Sequence, residues 1–292
     1  MTGRTRSVVE DVRDYYDQNT ARFERFGQGK DTGAIHRAVR PEPGDAEGDP
    51  LRTLDRIVLG ELATLRERFP PPLHVLDLGC GVGASLVYLA QKVAIVATGV
   101  TLSGVQAARA RERVEASGLD DRIEILEGSY LELPSTLAPA ALAFSLEAFV
   151  HSPDPAAYFT ASAERVAPGG LLVVCDDFLG PGAGGALSVR DERRLADFRS
   201  GWHATSLVTV DQATALAERA GFRLEKSTNL SARVELGRPR DHAIALLVTL
   251  ARPFAPSGAW FRSLLGGSAL QRALLSGLIE FRCLVFRRAT AS

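Results

Sequence analysis

Glu147 and His151, in the stretch "ALAFSLEAFVHSPD" (141–154), have side chains that can take up a proton. The apolar run before them reads as a buried strand, so Glu147 is expected at its tip in a polar-poor neighbourhood. Burial raises the pKa of a carboxyl group, which suits proton removal near neutral pH. The structural alternatives are that Glu147 caps the following turn and that His151, ahead of Ser-Pro, orders the loop. A second stretch, "VLDLGCGVGASLVYLA" (75–90), runs from an apolar strand through Gly79, Gly81 and Gly83 into a helix start. Glycines let a backbone turn tightly and approach a ligand closely, and a helix N-terminus offers unpaired amides. A dinucleotide site is the rival reading, but its spacing is G-x-G-x-x-G, not Gly79-x-Gly81-x-Gly83.

Both stretches need a scaffold, and the chain from residue 73 supplies one. Short apolar strands alternate with helices: "LHVLDLG", a helix over 83–92, "VAIVATGV", a helix over 103–117, "RIEILEGSY" and "ALAFSLE". A helix near 155–167, a "PGG" turn and "LLVVCDDF" follow. This order predicts an α/β, Rossmann-like parallel sheet with crossover helices on both faces, its ligand beyond the carboxyl ends of the strands. Ahead of it, residues 1–23 have helical spacing, with Tyr15, Asn19 and Phe23 on one face. A glycine-rich patch (26–39), an acidic Pro/Gly loop expected to be exposed and mobile (40–50), and a helix over 51–69 complete this part. After the joint "GPGAGGA" (180–186) come helices over 190–200 and 211–220, the strand "FRLEKSTNLS", a mostly helical stretch (235–278) and a last strand (280–289). The organisation expected is an N-terminal helical cap (1–70), a core (71–180), and lid helices with the final two strands (181–292).

Composition narrows the function classes. With 46% hydrophobic residues, 24% charged and a net charge of −1, the chain reads as soluble and globular, with no basic surplus to suggest nucleic acid. The longest apolar runs are too short for stable membrane insertion, and the charged N-terminus is not a secretory signal. Cys80, Cys175 and Cys283 are too scattered for a disulfide framework or a zinc site and read as buried thiols in a reducing, cytoplasmic compartment. Asp176 and Asp177 are adjacent on a strand and should point opposite ways, so only one could reach a site, and no metal motif is assigned. Homo-oligomerisation is left open.

The segment "VLDLGCGVG" resembles motif I of the class I S-adenosylmethionine (SAM) methyltransferases, and "VAPGGLLVV" (166–174) resembles their post-motif segment. The resemblance covers roughly 73–178. It implies a seven-stranded sheet with its last strand antiparallel, SAM as cofactor, a small-molecule substrate, and Asp77, Gly79, Cys80 and Gly81 at the methionine part of SAM. The family usually carries an acid after the second strand for the ribose hydroxyls. Here "GVTLSGVQ" (99–106) has Thr101, and the form is similar to methyltransferases in which Gln106 and the Thr101–Leu102 backbone replace that acid. Ser129 and Tyr130 stand where an adenine-binding Asp is common.

More loosely, "YYDQNTARFERFGQGKDTGAIHR" (15–37), the "GVTLS" strand and Glu147 resemble the geranyl diphosphate C-methyltransferases. That implies methylation of an alkene carbon in an isoprenoid, with Glu147 as general base; holding the SAM ammonium is its other role. The carbocation formed would need ring faces. Tyr16, Phe23, Phe149, Phe198 and Trp202 are candidates, with His203 beside Trp202, which could instead simply pack the lid. A diphosphate would need Arg37, Arg199, Arg238 or Arg240, with Mg²⁺ bridging its oxygens. His36 could meet a phosphate or close over SAM. The rivals are an O- or N-methyltransferase of a small secondary metabolite, with Glu147 or His151 as base, and a non-catalytic SAM-binding or partner protein.

Overall fold

The computed structural model describes residues 2–26, 33, 36–42, 48–254 and 258–290, excluding the side chains of 2–7, Phe23, Phe26, Pro253 and Ala259. The expectation for Phe23 and that for residues 43–47 of the 40–50 loop therefore lie outside the described residues. The strands are β1 (Leu73–Leu78), β2 (Ile95–Thr101), β3 (Ile123–Glu127), β4 (Ala140–Leu146), β5 (Val166–Leu179), β6 (Phe222–Asn229) and β7 (Ile279–Arg288). They form a seven-stranded sheet in the order β3-β2-β1-β4-β5-β7-β6. β1 to β5 are parallel, and β7 enters antiparallel between β5 and β6.

The chain progresses from β1 to one edge and then restarts at β4 on the other side. The crevice between the carboxyl ends of β1 and β4 is thus the topological switch point, where doubly wound sheets bind ligands. Strand alternation builds a core on each face. Leu171, Val173 and Cys175 of β5 join one apolar cluster, and Leu172, Val174 and Phe178 join the other.

Helices α1 (Thr2–Phe26), α2 (Thr53–Leu65), α3 (Ala84–Lys92), α4 (Gly104–Ala116), α5 (Pro155–Arg165), α6 (Val189–Trp202), α7 (Val210–Arg219), α8 (Pro239–Ala251) and α9 (Ala259–Leu275) surround the sheet. Helix α2 stops at Leu65, short of the expected Phe69: Pro70 disfavours helical geometry before it, and the amides of Arg68 and Phe69 close onto the Leu65 carbonyl. The "PGG" expected as a turn lies inside β5, opposite a register shift between Ala140 and Leu142. A Cβ on Gly170 would stand 2.7 Å from the Ala141 carbonyl oxygen, so glycine is what lets the strands pass. No helix among the described residues is long and apolar enough to cross a membrane.

Candidate active site

The glycine turn after β1 and the tip of β4 are in direct contact. Gly79 has φ +103°, and a Cβ there would lie 2.4 Å from the Ala148 Cβ. The amides of Gly79 and Cys80 both donate to the Val100 carbonyl, at 3.0 and 2.8 Å, which pins the turn to the end of β2. Gly83 (φ +74°) starts α3 against Ala110. Asp77, 3% exposed, sits at this end of β1, and burial, then the charge of Asp55, push its carboxyl well above the usual carboxylate range.

At the end of β2 the Thr101 hydroxyl donates to Gln106 Oε1 at 2.8 Å, so one acceptor position of this amide is already used and its Nε2 donors stay available. Ser103 caps α4 by accepting the Gln106 amide and donates to Asp17 of α1. Tyr130, half-buried, lies edge-on to Tyr158 and donates to the Ala148 carbonyl at 3.1 Å. Ser129 Oγ accepts the Leu131 amide.

β4 ends at Leu146, and Glu147 leaves it in the left-handed region (φ 57°). Its carboxylate is not in a polar-poor neighbourhood. Oε1 accepts the Arg37 amide at 2.7 Å and Oε2 lies 3.2 Å from Arg37 Nε. The same guanidinium grips Asp177 with two bonds, 2.9 and 2.7 Å, and lies 4.4 Å over the Phe281 ring. Burial works against the Arg37 charge, but Asp177 and Glu147 more than offset it and hold its pKa above the ordinary value. The fork geometry suits carboxylates. Arg37, expected at a substrate phosphate, is instead tied to two acids. Asp176 and Asp177 both border the cavity, yet only Asp177 turns to Arg37; Asp176 accepts the amides of Val150 and Asp177.

His151 ends a short 3-10 turn, Phe149–His151. Its Nε2 is 2.9 Å from the Tyr16 hydroxyl and its Nδ1 is 3.4 Å from the His203 carbonyl oxygen. A carbonyl only accepts, so the ring proton belongs on Nδ1, and Nε2 presents a lone pair to Tyr16. Burial lowers the His151 pKa to about 4 and, foremost, raises that of Tyr16 well above its ordinary value. The imidazole is therefore neutral at physiological pH.

These groups share one cavity of about 1180 Å³, more than a single drug-sized ligand needs (roughly 300–1,000 Å³). Asp77, Gly79, Cys80, Gly81, Thr101, Leu102, Gln106, Ser129 and Tyr130 border it, as do Tyr16, His36, Arg37, Glu147, His151 and Trp202. Trp202 donates to the Ser263 carbonyl, and α9 makes room for its ring at Gly266 and Gly267. His36 keeps Nδ1 near the Arg37 carbonyl and Nε2 3.9 Å from Asp55.

Three expected wall residues lie elsewhere. Phe149 is fully buried in the core on the other face of the sheet, stacked on Phe178 at 5.8 Å. Phe198 is fully buried in the first core, its ring 5.9 Å from that of Trp202. His203 closes α6 in a left-handed turn (φ 52°) and faces a separate hollow with Tyr15 and Asp11. Of the proposed phosphate ligands, Arg199 does not border the cavity, and Arg238 does so while paired with Asp241 at 3.2 Å. Asp17 and the lid groups Ser268 and Gln271 were not foreseen; Asp17 lay in the "YYDQN" run, one residue from the tyrosines, and only its reach to Ser103 distinguishes it.

Residues 75–170 match the family model of a methyltransferase domain. The chain is 30% identical over 238 residues to "Methyltransferase GfsG" of Streptomyces halstedii, covering 80% of this chain and 79% of that one. It is 29% identical over 158 residues to the 27-O-demethylrifamycin SV methyltransferase of Amycolatopsis mediterranei, covering 54% and 57%. A geranyl diphosphate C-methyltransferase from Streptomyces coelicolor, solved with Mg²⁺, geranyl diphosphate and S-adenosylhomocysteine, shares the fold with TM-score 0.64 and 15% identity over 97% of this chain and 98% of its own. The glycine turn at the β1/β4 switch point, the antiparallel seventh strand and the long match to GfsG agree, and the chain belongs to the SAM-dependent methyltransferases.

Proposed function

We propose that this methyltransferase methylates a hydroxyl oxygen of a large, mainly apolar natural product, with His151 as the proton acceptor. The observation that carries the reading is the neutral, buried His151 on the cavity wall, its Nε2 lone pair directed at Tyr16. When bound, SAM supplies an electrophilic methyl group. Asp77 and the Gly79–Gly83 turn are assigned to its methionine part, Thr101, Leu102 and Gln106 to its ribose, and Ser129 and Tyr130 to its adenine. The β4 tip, in contact with that turn, brings His151 to the substrate side. A substrate hydroxyl would replace Tyr16 at Nε2 and give up its proton there as the oxygen takes the methyl group. Glu147 is assigned a positioning role, because Arg37 already holds both of its oxygens. The similarity to the 27-O-demethylrifamycin SV methyltransferase supports oxygen as the acceptor.

A second reading, methylation of an alkene carbon in a prenyl diphosphate with Glu147 as base, is favoured by the fold and by Tyr16 and Trp202 on the wall. Against it, Arg37 and Arg238 are already bound to carboxylates. The test is to incubate the protein and SAM with 27-O-demethylrifamycin SV and other hydroxylated macrocycles, and separately with geranyl diphosphate and Mg²⁺. O-methylated macrocycle with S-adenosylhomocysteine release is expected; a methylated prenyl diphosphate in its place would reverse the assignment.

A further inference from the structure

Helix α8 is rich in apolar residues, "AIALLVTLA" (243–251), yet only Asp241 and Val248 of it are buried. Such a helix normally lies inside a protein or against lipid. Leu246 is 61% exposed and Leu250 63%, and Phe254, one turn further on, is 84%. Their spacing of four residues sets them on one stripe. Leu247 and Trp260, both also exposed, border the cavity, so this apolar face adjoins its mouth.

The helices around the stripe carry a positive surplus. Helices α6, α8 and α9 with Arg252 carry eight arginines against four acids, on a chain whose net charge is −1. Arg190, Arg194 and Arg252 lie close enough to Arg272 to disfavour its charge, although burial is the larger cause. Exposed Leu, Phe and Trp beside helices with an arginine surplus, part of it paired to Asp191 and Asp197, is a composition that settles into the headgroup region of an anionic bilayer. Arginine heads stay with lipid phosphates while apolar tips enter the acyl boundary.

From this we infer that the α8–α9 face docks on an anionic lipid surface and turns the cavity mouth towards the bilayer. A bilayer fits this face better than a folded partner, because its exposed side chains are Leu, Phe and Trp and offer few hydrogen-bonding groups. A substrate dissolved in lipid could then enter past Leu247 and Trp260 without crossing water. The docking does not depend on which atom is methylated; only the route of the substrate rests on the apolar-substrate reading.

The test is co-sedimentation of the full chain with vesicles, without substrate. Vesicles of equal parts phosphatidylcholine and phosphatidylglycerol should bind it at least about tenfold better than phosphatidylcholine alone, and added salt should weaken the binding. The double variant Leu250→Asn, Phe254→Ser should lose about tenfold or more of that binding while keeping its melting temperature and SAM affinity. Equal partitioning onto both vesicle types, none onto either, or a variant that binds like the parent would overturn the inference. So would a concentration-dependent dimer that the double variant dissolves, which would give the face to a second copy. Failure of methylation on every macrocycle, with vesicle binding intact, would sink only the proposed reaction.

Discussion

His151 is held by two contacts of opposite sense, a carbonyl at Nδ1 and a phenol at Nε2, and this decides its chemistry. Because burial depresses its pKa from 6.5 to about 4, the imidazole stays neutral well into mild acid, though as a weaker base than a free imidazole. His151→Gln should lower turnover roughly a hundredfold, the usual scale for a positioned base, while SAM affinity is unchanged; turnover within a few-fold of the parent would remove His151 from catalysis. The same group links stability to pH. Below 6.5 the unfolded chain takes up a proton that the folded chain refuses until about pH 4. Its contribution is therefore complete above 6.5 and is lost as the pH falls to 4, a difference of about 3 kcal/mol. Denaturant melts across that window should show this loss in the parent and not in His151→Gln. Equal pH slopes would mean that the imidazole is not buried neutral.

Helix α1 covers the cavity through contacts that include Asp17 to Ser103, Tyr16 to His151, and Tyr15 to Ser263 at 3.0 Å. Asp17 also lies 3.4 Å from the Val105 amide at the start of α4, where a negative charge is favoured. Asp17→Ala should cost about 1 kcal/mol of closure and speed SAM release about fivefold; an unaltered stopped-flow off-rate would place the closure elsewhere. Much of this level was legible in the sequence. The strand–helix alternation and the glycine turn depend on local pattern, and Tyr15 and Asn19 are buried together on α1 as their spacing implied. What escaped depends on residues far apart. Nothing near Arg37 announces partners 110 and 140 residues away. Phe149 was expected on the cavity wall, but it shares the parity of Ala143 and Ser145, whose side chains face the second core, and its ring joins that core. For Phe198 a local signal did exist: Leu195 and Phe198 are three apart and both buried, an inward face for α6.

At the scale of the whole molecule, charge rather than shape separates the two candidate substrates. The fold is shared with enzymes of quite different chemistry, so it cannot choose between them. The cavity is bordered by Asp77, Glu147, Asp176, Asp177, Glu235 and Asp241 against Arg22, Arg37, Arg238 and Arg240. With Arg37 and Arg238 already paired, a diphosphate entering here would have to displace their carboxylates. A neutral hydroxylated molecule meets no such penalty and gains from the apolar lid wall of Leu236, Ile244, Leu264 and Leu274. Thermal melts of the S-adenosylhomocysteine-saturated protein read the difference directly. A ligand held at a hundred times its Kd adds about 2.7 kcal/mol to stability, a shift of several degrees in a chain of this size. Geranyl diphosphate with Mg²⁺ should give no such shift at any concentration that leaves the protein folded, whereas hydroxylated macrocycles that act as substrates should. A rise of several degrees with the diphosphate would mean that the Arg37 cluster opens to receive it, and carbon methylation would then become the better assignment.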